Sequence, residues 1–155
     1  MKKYLKQSNS FLIHLYKFLR DYKSIFIYLP LVVYWIILFT LTTIPADKMP
    51  QLFANQDKVE HLLAYFVLAF LLAFTLSFQN KIKLLSSRAV LFTVIFVAAY
   101  GALDELHQMF IPGRECDFYD WLSDLIGGSL GALAALYILN KFPVKPEDPF
   151  TEKSE

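Results

Sequence analysis

Four apolar runs, each about twenty residues long, decide what this chain can be. They occupy residues 25–44, 61–78, 89–110 and 121–139. A helix needs ~20 residues to cross the hydrocarbon of a bilayer, since each residue rises only ~1.5 Å. Inside that layer every backbone N–H and C=O must find a partner within the protein, and for runs of this length the helix is the solution. The 155-residue chain is 56% hydrophobic, above the about 45–50% of a soluble domain. The pattern predicts an all-α fold: a polytopic membrane helical bundle with four transmembrane helices, embedded in a lipid bilayer.

The segments flanking the runs differ in kind. In residues 1–24, Lys2, Lys3, Lys6, Lys17, Arg20 and Lys23 alternate with Leu5, Leu12, Leu15 and Leu19 at helical spacing. That pattern predicts a basic amphipathic N-terminal helix lying on the membrane surface. It does not read as a signal peptide, because its apolar run begins late, is long and lacks a small-residue cleavage site. Residues 25–142 form the expected membrane domain. Residues 143–155, with Pro146, Pro149 and mixed charge, read as a disordered cytoplasmic tail. The formal net charge of +1 gives no global field for nucleic acid, and no nucleic-acid partner is expected. Cys116 is the single cysteine, which excludes an intrachain disulfide and a cysteine-based metal site.

Lys and Arg set the orientation. The N-terminal segment is basic, and the link between the second and third runs carries Lys81, Lys83 and Arg88 without an acid. The other two links hold Asp47, Asp57, Glu60, Glu115, Asp117 and Asp120 against Lys48, Lys58 and Arg114. Both termini are therefore expected in the cytoplasm of a multi-pass protein of the cytoplasmic (inner) membrane, with the first and third links outside.

Ionisable residues inside or beside a span are costly to bury and mark functional sites by default. Here they gather at one end. Asp57, Lys58, His61 and Tyr65 open the second run, Asp104, Glu105, His107 and Gln108 close the third, and Asp120 and Asp124 open the fourth. Spacings of three and four put Asp104, His107 and Gln108 on one face, and Asp117, Asp120 and Asp124 on another. Arg114 follows the Pro112–Gly113 turn and is the first choice of counter-ion for the acids, or of clamp for a phosphate. His61, Asp104, Glu105, Arg114, Asp120 and Asp124 are expected to face one cavity. Gly127 and Gly131 form a GxxxG pair, read as packing, with Ala98, Ala99, Gly101 and Ala102 as a matching surface on the third span. No GxSxG, P-loop or HExxH pattern is present, and Ser123 and Ser129 have no neighbouring base. No cofactor is expected; His61, His107, Asp104, Glu105, Asp120 and Asp124 could ligate a divalent metal, with His61, Asp104 and Asp120 the first candidates. For acid–base catalysis the candidates are His61 with Asp104 or Glu105.

Two motifs carry a resemblance. The first is Asp57-Lys58-x-x-His61-x-x-x-Tyr65. The second is Asp104-Glu105-x-x-Gln108-x-Phe110-x-Pro112-Gly113-Arg114, followed by Asp120, Asp124 and Gly127. In this order and spacing the chain resembles the VanZ-like family of small membrane proteins, from Tyr34 to Leu139. It departs at Asp124, where the family often has asparagine. The resemblance implies a helical membrane protein whose founding member is associated with teicoplanin resistance, and so an antibiotic-resistance role at the cell envelope. It supplies no reaction. The expected function is binding or shielding an envelope component, either a lipid-linked cell-wall precursor or a phospholipid headgroup. In that reading Arg114 and Lys58 meet phosphate while Asp57, His61, Tyr65, Asp104, Glu105, Gln108, Asp120 and Asp124 line or order the site. A membrane enzyme acting on a lipid phosphate or acyl group is the alternative, and a structural protein with a closed polar network is the other.

The orientation is testable by cysteine labelling in a Cys116→Ser background. A Lys48→Cys variant should react with an impermeant maleimide in intact cells, and reaction only after permeabilisation would reverse the topology.

Overall fold

The computed structural model describes residues 2–142. The tail expected to be disordered, 143–155, lies outside the described residues. The described residues are 79% helical, and no strand occurs among them. Helix α1 is Lys2–Asp21. A π-helical turn, Ser24–Tyr28, leads into α2, Leu29–Thr42, and the two form one continuous span. Then come α3, Gln56–Phe78, a short α4, Lys83–Ser87, α5, Ala89–Gln108, and α6, Phe118–Leu139. Among the described residues four helices are long and apolar enough to cross a membrane: Ser24–Thr42, α3, α5 and α6. The protein is an all-α, multi-pass helical bundle.

Local chemistry explains the boundaries. Pro30 sits in the first turn of α2. Its ring would clash with the carbonyl four residues back in a regular α-helix, and the wider π turn preceding it relieves that crowding. Helices α3 and α6 each start earlier than their apolar runs, by five and three residues, because their polar first turns are helical too. Asp57 and Asp120 lie in those turns, where a carboxylate meets the positive end of the helix dipole.

α3 and α6 run parallel and form the most extensive helix pair. Gly127 and Gly131 make the approach possible. A Cβ at either position would run into the backbone carbonyls of Leu62 and Phe66. The GxxxG face therefore packs on α3, not on the small residues of α5 that the sequence suggested. α5 instead crosses α6 antiparallel, with Val97 against Gly128, Gly101 against Asp124, and Trp121 Nε1 donating to Ala98 O at 2.9 Å. Buried Ala73, Ala132 and Ala135 fill the junction of the helices.

α2 is more peripheral. It meets the bundle through Leu38, which packs with Tyr65, Leu68 and Val97, and through Tyr34 OH, which donates to Ala64 O at 2.9 Å. α1 is held by Tyr16, whose ring lies 5.3 Å from Phe78 and 5.9 Å from Phe142. At the opposite end of the bundle the first and third links are joined. Ala46 N donates to Pro112 O at 3.2 Å, beside Gly113, whose φ of +74° is a conformation that side chains other than glycine rarely take.

Gly127→Ala should force α3 and α6 apart and destabilise the bundle by about 1–3 kcal/mol. Leu130→Ala, on an exposed face, should stay within about 0.5 kcal/mol of the parent. Melting temperatures in detergent measure both, and equal values would refute the close crossing.

Candidate functional site

The polar first turn of α3 is secured locally. Gln56 Oε1 accepts from Leu52 N at 2.6 Å and its Nε2 donates to Pro50 O at 3.0 Å. From that start Lys58, His61 and Tyr65 project along one face, at spacings of three and four. Asp117 caps α6, its side chain accepting from Tyr119 N at 2.8 Å, which sends Asp120 and Asp124 toward α3. Asp104, Glu105 and Gln108 reach the same region from the last turn of α5, and all three are buried.

These residues form three linked clusters. In the first, Lys58 Nζ donates to Asp117 Oδ2 at 2.8 Å, Asp120 Oδ1 at 3.0 Å and Asp57 Oδ2 at 3.1 Å, which uses all three ammonium donors. In the second, His61 Nδ1 is 2.9 Å from Asp124 Oδ1 and 3.9 Å from Glu105 Oε1, while Glu105 Oε2 accepts from Asp117 N at 2.9 Å. In the third, Tyr65 OH donates to Asp104 Oδ2 at 3.3 Å and Gln108 Nε2 reaches the same oxygen at 3.5 Å. Arg114 then donates to Gln108 Oε1, to Ile44 O and to the Met49 sulfur, each at 3.3 Å.

Several sequence expectations change. Lys58, not Arg114, is the cation paired with acids, and its partners are Asp57, Asp117 and Asp120. Among the described residues no carboxylate lies within ion-pair distance of Arg114. The partner of His61 is Asp124, while Asp104 is bound by Tyr65 and Gln108. The suggested metal trio of His61, Asp104 and Asp120 is therefore split over all three clusters. His107 turns away from Asp104 and stacks on Phe39, with ring centroids 5.3 Å apart. The six residues expected around one cavity divide as well. A cavity of about 450 Å³ lies between α2 and α3 and is lined by His61, Tyr65, Asp104 and Arg114 at its polar end. Leu38, Leu41, Leu63 and Ala64 form its apolar walls. Glu105, Asp120 and Asp124 do not line it.

Asp117, expected on one face with Asp120 and Asp124, also caps α6, and two contributors were missed by sequence reasoning. Glu60 lines the cavity one residue before the run begins. Met49 touches Arg114 from a link without periodicity, and nothing in the sequence marks it.

A family model described as VanZ/LLP1 matches residues 5–140. The chain belongs to the VanZ/LLP1 family. The match takes in α1 as well as all four spans, more than the motifs between Tyr34 and Leu139 indicated. No curated protein and no solved structure matches the chain. Within this VanZ/LLP1 chain both motifs meet at one end of the bundle: the first supplies Lys58, His61 and Tyr65, and the second their partners Asp104, Glu105, Asp120 and Asp124.

The hydrogen bond from Lys58 holds the Asp117 carboxyl below its usual range, with the Tyr119 N–H acting in the same direction. A carboxyl with a lowered folded pKa adds stability above its unfolded value of about 4. That stability is lost as pH falls through the folded value. Asp117→Asn should therefore flatten the loss of melting temperature between about pH 5 and pH 2. Lys58→Ala should cost about 1.5–3 kcal/mol, since it removes three charged hydrogen bonds at a partly exposed position. An unchanged acid limb in the first variant would remove the Lys58–Asp117 pair as a contributor.

Proposed function

We propose that this VanZ/LLP1 protein binds a lipid-borne anion of the cell envelope in the slot between α2 and α3. The slot would open at the outer face of the cytoplasmic membrane, with both termini inside. One observation carries the reading: the Arg114 guanidinium lines an apolar-walled cavity while bonded to neutral acceptors alone. A guanidinium offers five donors in a planar fork that matches phosphate or carboxylate. Leucine walls beside it suit a hydrocarbon chain. A lipid-linked cell-wall precursor and a phospholipid headgroup share that chemistry. Occupation of such a precursor would shield it from a glycopeptide, which is the route by which teicoplanin susceptibility would change. Lys58 takes no part in gripping the anion, because its three donors are engaged by acids.

A membrane enzyme acting on a lipid phosphate or acyl group is the second reading. His61 lines the slot while its Nδ1 bonds Asp124, the arrangement of a base oriented by a carboxylate. The cavity speaks against a network that is closed on itself and purely structural.

Arg114→Lys keeps the charge and loses the fork. It should fold with a near-parental melting temperature yet lose most co-purifying lipid in mass spectrometry, and lose any effect on teicoplanin susceptibility. Arg114→Ala should do the same. A lysine variant that retains lipid and activity would refute the clamp.

A further inference from the structure

We propose that His61 Nδ1, Glu105 Oε1 and the Asp124 carboxylate, where α3, α5 and α6 meet, form a binding site for a divalent metal ion. The three donor atoms lie within 4.8 Å of one another. All three residues are buried, with Glu105 and Asp124 at 2% and 0% exposure.

Hydrogen bonding leaves this cluster incomplete. Glu105 Oε1 and Asp124 Oδ2 are buried without any hydrogen-bond partner. Glu105 Oε2 is fixed by the Asp117 N–H at 2.9 Å, so Oε1 is turned toward His61, 3.9 Å from Nδ1. That separation is too long for a hydrogen bond. It is within the span of two donors of one ion, each about 2.0–2.2 Å from it. His61 Nδ1 faces Asp124 Oδ1 at 2.9 Å, a contact that an ion bound between the two atoms would replace. A buried carboxylate oxygen without partner or counter-charge is costly.

Charge points the same way. Lys58 is engaged by Asp57, Asp117 and Asp120, and Arg114 is not paired with any carboxylate among the described residues. Glu105 and Asp124 thus share one imidazole. A divalent ion bound by neutral imidazole would balance both carboxylates at once. The second acid cluster, Asp57, Asp117 and Asp120, has comparable spacing, but the Lys58 ammonium already occupies its centre.

One imidazole and two carboxylates, without a thiolate, suit Zn²⁺ or Mn²⁺ rather than a soft monovalent ion. Three protein ligands also leave a coordination position open. The site shares His61 with the lipid slot, whereas Glu105 and Asp124 do not line it.

The test uses full-length protein in detergent, purified through a non-histidine tag, stripped with chelator and dialysed against Zn²⁺ or Mn²⁺. Metal analysis should find about one ion per chain, and the loaded protein should melt higher than the stripped one. Glu105→Gln should bind at least about tenfold more weakly and lose the metal-dependent rise in melting temperature. Asp47→Asn, exposed in the first link, should bind as the parent does. If Glu105→Gln does not fold, Co²⁺ loading of the parent decides: intense visible bands of a four- or five-coordinate ion support the site, and the weak bands of a hydrated ion overturn it. Failure of the parent to retain Zn²⁺ or Mn²⁺, or full retention by a folded Glu105→Gln, would overturn it as well. Neither result bears on whether Arg114 retains lipid.

Discussion

Everything at the polar end of this bundle depends on how closely α3 and α6 approach. With hydrogens alone at Gly127 and Gly131, the two backbones touch where a methyl would not fit. That contact puts His61 and Asp124 within 2.9 Å across two helices. It also sets two parallel helix N-termini side by side, which concentrates partial positive charge. Asp57, Asp117 and Asp120 answer it from the first turns and the cap, and Lys58 then answers them. The charge pattern is thus a sequence of responses to one packing decision.

The two basic residues of the motifs divide their work by position. Lys58 rides on a helix in the midst of acids, where a flexible stem and three donors suit several carboxylates. Arg114 sits after a turn whose glycine has positive φ and reaches a carbonyl, an amide oxygen and a thioether. The charge that looks like a natural counter-ion in the sequence is therefore held apart from the acids, at the edge of a cavity.

The helices were legible because hydropathy has a physical cause in the bilayer, and the motif residues because their spacing repeats that of a helix face. Other features were legible only in part. The polar first turns of α3 and α6 are invisible to hydropathy, which stops at the first charge. Small residues on both α5 and α6 made the partner of the GxxxG face ambiguous. The pairing of His61 with Asp124, 63 residues apart, follows from helix rotation, which spacing within one helix does not specify. The neutral shell of Arg114 comes from Ile44 O and the Met49 sulfur, neither of which has a signature in sequence.

The first span stands apart from its neighbours. Its buried residues are Ile27, Leu38 and Thr42 alone among the described residues, against six in α3 and seven each in α5 and α6. Regions with few buried contacts open locally at lower free energy than the core does. The protein thus combines a firm body of α3, α5 and α6 with a span tethered at Ala46, at Tyr34 and near Ile27. The cavity lies along the seam between these two parts. Its width therefore depends on the placement of the helix least enclosed by the others, and hydrogen exchange should proceed in α2 before it does in α3 or α6.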